Sequence, residues 1–180
     1  MISLALTTLS SLLSDYLKRS FRLNEDIVSL QPPVSAEKSL PDNKIHLFPI
    51  NIERETGAGI KFNQRTVSNE YYQKGAPSLF LNLYTVIAAT FNEKQYEESL
   101  LLMSGVASFL QSNNLFLLPQ TDTQISIEIE NLSLTELSNI WSINGNRQYP
   151  AFICKLRNII IDGNEIKHIG KLINQKEVNA

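Results

Sequence analysis

The chain has 180 residues, 43% of them hydrophobic, which is enough for one ordinary core and too little for two. Its 16 basic and 18 acidic residues leave a net charge of -2, so there is no basic surplus to neutralise a phosphate backbone, and nucleic acid is excluded as the main partner. A single cysteine, Cys154, rules out an internal disulfide and fits synthesis in a reducing compartment, with the cytoplasm as the default.

Ile2, Leu6, Leu9, Leu13, Tyr16 and Leu17 fall three or four apart, with Ser and Thr between them. This spacing predicts an amphipathic helix ending near Lys18 to Phe21. The opening stretch is rich in Leu, but Lys18 is its first cation and no small-residue cleavage site precedes it, so it is read as neither a secretion signal nor a membrane anchor. Its apolar face is expected to lie against the protein's own sheet. Thr7, Ser10, Ser11 and Ser14 do not make the basic face that a membrane surface requires.

Ile27 to Leu30 reads as a short strand stopped by Pro32-Pro33, and 34–43 as a loop. Lys44 to Phe48 resumes strand chemistry. Pro49 has no N–H to give to a ladder, which implies an edge position or a bulge before Ile50 to Arg54. Residues 55–76 are polar and without a clear period, and are read as a long loop. Connections of that length are often functional, so this one is a candidate contact surface, with Arg54, Arg65, Tyr71, Tyr72 and Lys74 as candidate interaction residues. From Leu79 to Ala89 the apolar run is broken only by Asn82 and Thr85, as in a central strand buried on both faces. Tyr96 to Gln111 then carries the helical period through Tyr96, Leu100, Met103, Val106/Ala107 and Leu110.

Ile125, Ile127 and Ile129 alternate with Ser126, Glu128 and Glu130, the pattern of a strand with one wet face. Ser133 and Glu136 have capping-box spacing, which starts a helix through Trp141. Trp141, the only tryptophan, is either packed beneath the following turn or an interface anchor. Ala151 to Asp162 is the last strong strand, with Phe152, Cys154 and Leu156 on one face and Lys155 and Arg157 on the other, Arg157 being a further candidate interaction residue. Asp162-Gly163 signals a turn. The polar segment 163–180 reads as a C-terminal tail that forms a small helix, an added hairpin strand or an arm ordering on a neighbour. The domain proper is therefore 1–162, and its class is α/β (α+β): a single mixed, mostly antiparallel sheet flanked by helices.

Little in this pattern carries reaction chemistry. His46 and His168 lack neighbouring ligands at metal spacing, and Cys154 sits inside an apolar strand, where cysteine acts as a small hydrophobe. Gly57-Ala58-Gly59 lacks the rest of a phosphate-binding fingerprint. The pairs Glu97-Glu98 and Glu128/Glu130 read as solvated acids, and Asn131-Leu132-Ser133 as a glycosylation sequon without a secretory route. No catalytic, cofactor-binding or metal site is assigned.

Several segments together carry a resemblance: Pro77 to Tyr84, Tyr96 to Leu100, Phe109 to Gln111, Trp141 followed by Tyr149-Pro150, and the basic, apolar strand through Arg157. With the N-terminal helix and Ile50 to Glu55, this pattern over most of 1–162 resembles the N-terminal domain of the cap, or tail-terminator, proteins of phage-tail-like contractile injection systems. The resemblance implies a structural, non-enzymatic protein without cofactor. Such a protein would form a ring, expected to be a homohexamer, that ends the inner tube and binds the last layer of sheath protein. It would have no nucleic-acid partner and no direct membrane insertion, and it would be made in the cytoplasm of the producing cell as part of an assembled particle. The competing readings are a monomeric adaptor that binds a partner protein through the edge strand near Pro49, and a small-ligand-binding domain with a pocket between sheet and helices.

Overall fold

The computed structural model describes residues 1–32, 43–56, 62–66, 71–143, 147–161 and 166–171, with 62–66, 71–76 and 166–171 described at the level of the backbone. By contact density the chain forms two compact units. The first takes Met1–Glu53 and Asn82–Ile159, and the second Arg54–Leu81 and Ile160–Ala180.

The chain opens with α1 (Ile2–Phe21), which buries Ala5, Leu6, Leu9, Leu13, Ser14 and Leu17 along one stripe, as the spacing predicts. Arg22 ends it in the left-handed region, at φ 54°, and the Leu23 N–H donates to the Lys18 carbonyl at 3.1 Å. Asp26 then ties the following turn back to the helix. It accepts from Ser14 Oγ at 2.9 Å and pairs with Lys18 Nζ at 2.6 Å, and these contacts, Lys18 foremost, hold its carboxyl below the usual range.

The principal sheet has six strands in the order β1-β2-β5-β8-β7-β6, where β1 is Val28–Ser29, β2 Lys44–Arg54, β5 Leu79–Thr90, β6 Leu115–Leu117, β7 Gln124–Ile129 and β8 Ala151–Ile161. Only β1 and β2 are parallel, with Val28 opposite Ile45 and Ser29 opposite His46. β2 and β5 run antiparallel: the Glu55 N–H donates to the Phe80 carbonyl at 2.8 Å at one end, and Thr90 Oγ1 donates to the Lys44 carbonyl at 3.3 Å at the other. The ladders β6/β7 and β7/β8 are antiparallel too. The expected mixed, mostly antiparallel sheet is therefore present. Pro49 stays within β2, exposed and three residues past the last partner that β1 supplies, so its missing N–H costs no bond to that strand.

β5 lies inside this sheet and is buried from Leu81 to Thr90 except at Tyr84, in keeping with a strand covered on both faces. Side chains alternate along a strand, so Val86 and Ala88 face opposite to Ile87 and Ala89. Val86 and Ala88 pack with Phe48, Ile153 and Trp141 beneath α3 (Leu134–Ile143). The remaining apolar core joins buried residues of α1 and α2 (Tyr96–Ser112), which pack together with Tyr16 edge-on to Phe109 at 5.5 Å, to buried strand residues such as Ile45, Leu47, Leu83, Ile87, Ile125 and Leu156.

Two departures from the sequence reading lie in the first unit. The buried stripe of α2 runs through Ser99, Leu102, Met103, Gly105, Val106, Phe109 and Leu110, leaving Tyr96 and Leu100 outside, 52% and 43% exposed. In β8, Asn158 adopts φ 71° and its amide donates to the Gln124 carbonyl at 2.7 Å. This left-handed residue breaks the alternation, so that Ile159 is buried although Leu156, an odd number of residues away, is buried as well.

The second unit corrects the reading of 55–76 as a long loop. It holds β3 (Phe62–Thr66) and β4 (Tyr71–Pro77), and β4 pairs also with β9 (Ile166–Lys171) to give a three-stranded antiparallel sheet in the order β3-β4-β9. Of the three forms considered for the C-terminal segment, 166–171 takes that of an added strand. Gly57-Ala58-Gly59 lies outside the described residues.

Candidate functional site

The seven candidate interaction residues divide between the two units. Arg54 is exposed and ends β2, and with Arg65, Tyr71, Tyr72 and Lys74 it belongs to the second unit. In the three-stranded sheet Arg65 stands opposite Gln73, Tyr72 opposite Thr66 and Gly170, Tyr71 opposite Lys171, and Lys74 between Gln64 and His168. All five are thus strand residues, four of them in the three-stranded sheet, so their backbone positions are fixed by ladders, unlike those of residues on a loop.

Trp141 and Arg157 belong to the first unit. Trp141 is 4% exposed, packed on Phe48, Val86, Ala88 and Ile153 and edge-on to Tyr149 at 5.7 Å. Its ring fills the core beneath the segment that follows α3, one of the two roles its sequence context allowed. Arg157 lies on the open face of β8, its Nη1 3.4 Å from Glu128 Oε1 across the ladder with β7. Beside it Lys155 Nζ sits 5.0 Å from the centre of the Tyr84 ring, and the Tyr84 hydroxyl holds the ammonium above its usual pKa.

Two concavities in the first unit had no signal in the sequence. One, of about 640 Å³, is lined by residues including Phe91, Lys94, Tyr96, Arg147, Tyr149 and Pro150. The other, of about 580 Å³, is an apolar groove formed by Pro32, Phe48, Pro49, Ile50, Asn51, Ile140 and Ile143. Each draws its walls from segments far apart in the chain, so no local motif announces it. A third feature is the β6 end of the sheet, where Leu115 and Leu117 are 51% and 64% exposed on a terminal strand.

Two groups that could carry chemistry, Cys154 and His46, are buried in strands. Cys154 is fully buried, and desolvation pushes its thiol up to about 12, far from a thiolate nucleophile at neutral pH. His46 is buried in β2 with Nδ1 3.1 Å from the Gln31 carbonyl. Among the described residues no three of His, Cys, Asp and Glu are grouped to hold a metal ion, and no helix is long and apolar enough to cross a membrane. The described surface includes the mixed-charge face of β7 and β8 and the apolar β6 end of the sheet.

Comparison with solved structures places this architecture. A cryo-EM structure of the sheath/tube terminator, in its extended state, from an extracellular contractile injection system, PVC, shares the fold with a TM-score of 0.68 over 97% of this chain at 15% sequence identity. The tube-terminating cap of the anti-feeding prophage matches with a TM-score of 0.50 over 94% of the chain at 14% identity. The chain spans about three fifths of the length of each, 61% and 60% respectively. No curated protein sequence matches significantly. The family described as the Pvc16 N-terminal domain, however, matches residues 5–175. That match takes in every strand and helix described above except the first few residues of α1, and on it the chain belongs to the Pvc16 N-terminal domain family.

Proposed function

We propose that this protein is a structural cap of a contractile injection system, a ring of identical copies that ends the inner tube and binds the last layer of sheath. The observation that carries this reading is the shared fold, over 97% of the chain, with a sheath/tube terminator. The ring, six copies by resemblance, the sheath contact and the residence of the chain in a cytoplasmically assembled particle are parts of the proposal. Two features support it. A head-to-tail ring needs two different patches on each copy, and the chain carries two compact units with different sheets. The described chemistry is also that of a packed scaffold, with the one thiol buried and protonated. In this reading Arg54, Arg65, Tyr71, Tyr72 and Lys74 mark the second unit as the first place to look for subunit contacts.

Deleting the gene in the producing cell and imaging the particles by electron microscopy tests the reading. Tubes and sheaths of irregular length, lacking a defined distal end and restored by the full chain, are expected. Particles of normal length with a normal end would overturn it.

A further inference from the structure

The two compact units differ in charge. Met1–Glu53 and Asn82–Ile159 carry nine lysines and arginines against thirteen aspartates and glutamates, whereas Arg54–Leu81 and Ile160–Ala180 carry seven against five. An acidic chain therefore contains a basic unit. The division is sharper within the strands. β3, β4 and β9 hold Arg65, Lys74, Lys167 and Lys171 and no acid, because Glu55, Glu70, Asp162, Glu165 and Glu177 all fall outside them.

The register spreads these cations over both faces of the sheet. Residues directly opposite one another share a face, so Arg65, Tyr71, Gln73, Ile169 and Lys171 belong to one and Gln64, Thr66, Tyr72, Lys74 and His168 to the other. Whichever face meets a partner thus brings at least one cation and one tyrosine position and no acid.

The helix α2 has the opposite composition. Across Tyr96–Ser112 it carries Glu97 and Glu98 and no lysine or arginine, and in the turn before it Lys94 is matched by Glu93. Both glutamates are exposed, and so are Tyr96, Leu100 and Leu101. The helical spacing of three or four places Tyr96 beside Leu100, and Glu97 beside Leu100 and Leu101. Exposed apolar residues rimmed by charge mark a surface that meets another protein.

We propose that the basic three-stranded sheet of one copy docks on the acidic, apolar outer face of α2 of the next copy. The occupant is a second copy because this chain already carries both complements, a sheet with cations and no acids and a helix with acids and no cations. Glu97 and Glu98 supply the charge that the sheet lacks, and Tyr96, Leu100 and Leu101 supply the apolar area to bury. Two unlike patches meet, so each copy keeps one of each for its neighbours and the contact propagates head to tail. The charge argument is independent of the cap reading, which supplies only the ring that such a contact would close.

Sedimentation of the isolated chain reads the contact. Self-association is expected at about 20 mM salt and is expected to weaken at least about tenfold at about 500 mM, where screening removes the attraction between exposed charges. Glu97→Lys/Glu98→Lys alone, and Arg65→Glu/Lys74→Glu/Lys171→Glu alone, are each expected to stay monomeric where the wild type associates. An equimolar mixture of the two is expected to associate again, because the reversed helix of one now complements the reversed sheet of the other. Circular dichroism checks that both variants are folded.

A wild-type chain that stays monomeric at low salt up to about 100 μM, the range of a weak specific contact, would overturn the inference. So would association that survives either reversal, or two folded variants that fail to associate on mixing. Should the sheet variant lose its strands, the salt dependence and the α2 variant, whose changes are confined to exposed helix positions, carry the test by the same criteria. Each of these results leaves the cap reading to be tested separately by the gene deletion.

Discussion

At Gly105 α2 packs closely on α1. A Cβ there would come within 2.5 Å of the Phe21 ring and 2.9 Å of Leu17. Overpacking of this kind costs roughly 1–3 kcal/mol, against about 1 kcal/mol that alanine gains over glycine in a helix. Because half-buried Phe21 can move partly aside, Gly105→Ala is expected to destabilise the protein by about 1 kcal/mol net, read as a lower urea midpoint. Cys154 gives a second residue-scale test. A thiol raised to about 12 in the folded chain, from 9.0 otherwise, favours folding fully below 9, and that contribution is lost as pH rises from there through 12. Native protein at pH 8 is expected to resist alkylation until denaturant is added. Rapid labelling of the folded chain would contradict the burial described here.

The helix α3 depends on its first turn. Ser133 and Glu136 form the reciprocal cap expected from their spacing: the Ser133 N–H donates to Glu136 Oε2 at 2.8 Å and the Glu136 N–H to Ser133 Oγ at 3.3 Å. These bonds hold the Glu136 carboxyl below its usual range, so the cap persists as pH falls through the ordinary carboxylate pKa and is lost only below it. Ser133→Ala is expected to cost about 1 kcal/mol in a denaturant titration.

Elements with local signals of this kind, α1, α2, α3, β5 and β8, were legible in the sequence nearly to their ends. The face of α2 was not, because periodicity counts large apolar residues. The close approach to α1 instead buries the small Ser99 and Gly105 and turns Tyr96 and Leu100 outward. Strands β3 and β4 escaped for a different reason. Phe62–Thr66 and Tyr71–Pro77 lack an apolar alternation, and β9, the second partner of β4, lies some 90 residues further along the chain, a pairing no local window contains. The candidate site was legible as a list of surface residue types. Its division between two units follows from which distant strands pair.

At the scale of the whole molecule, the first unit comprises Met1–Glu53 and Asn82–Ile159, and the core cluster of Phe48, Val86, Ala88, Trp141 and Ile153 lies within those segments. Deleting Gly57–Gly75 should therefore leave a cooperatively folded chain, by circular dichroism and thermal melting, that fails to enter particles. Loss of secondary structure beyond the deleted strands would show instead that the first unit needs the second to fold. Trp141 makes the two halves of that experiment separable. It is the chain's only tryptophan and lies dry against Ile153 and Phe48 in the first unit. Its intrinsic fluorescence should shift to the red only when that unit opens, so one emission spectrum, taken without any label, distinguishes a chain that has lost its assembly surface from one that has lost its core.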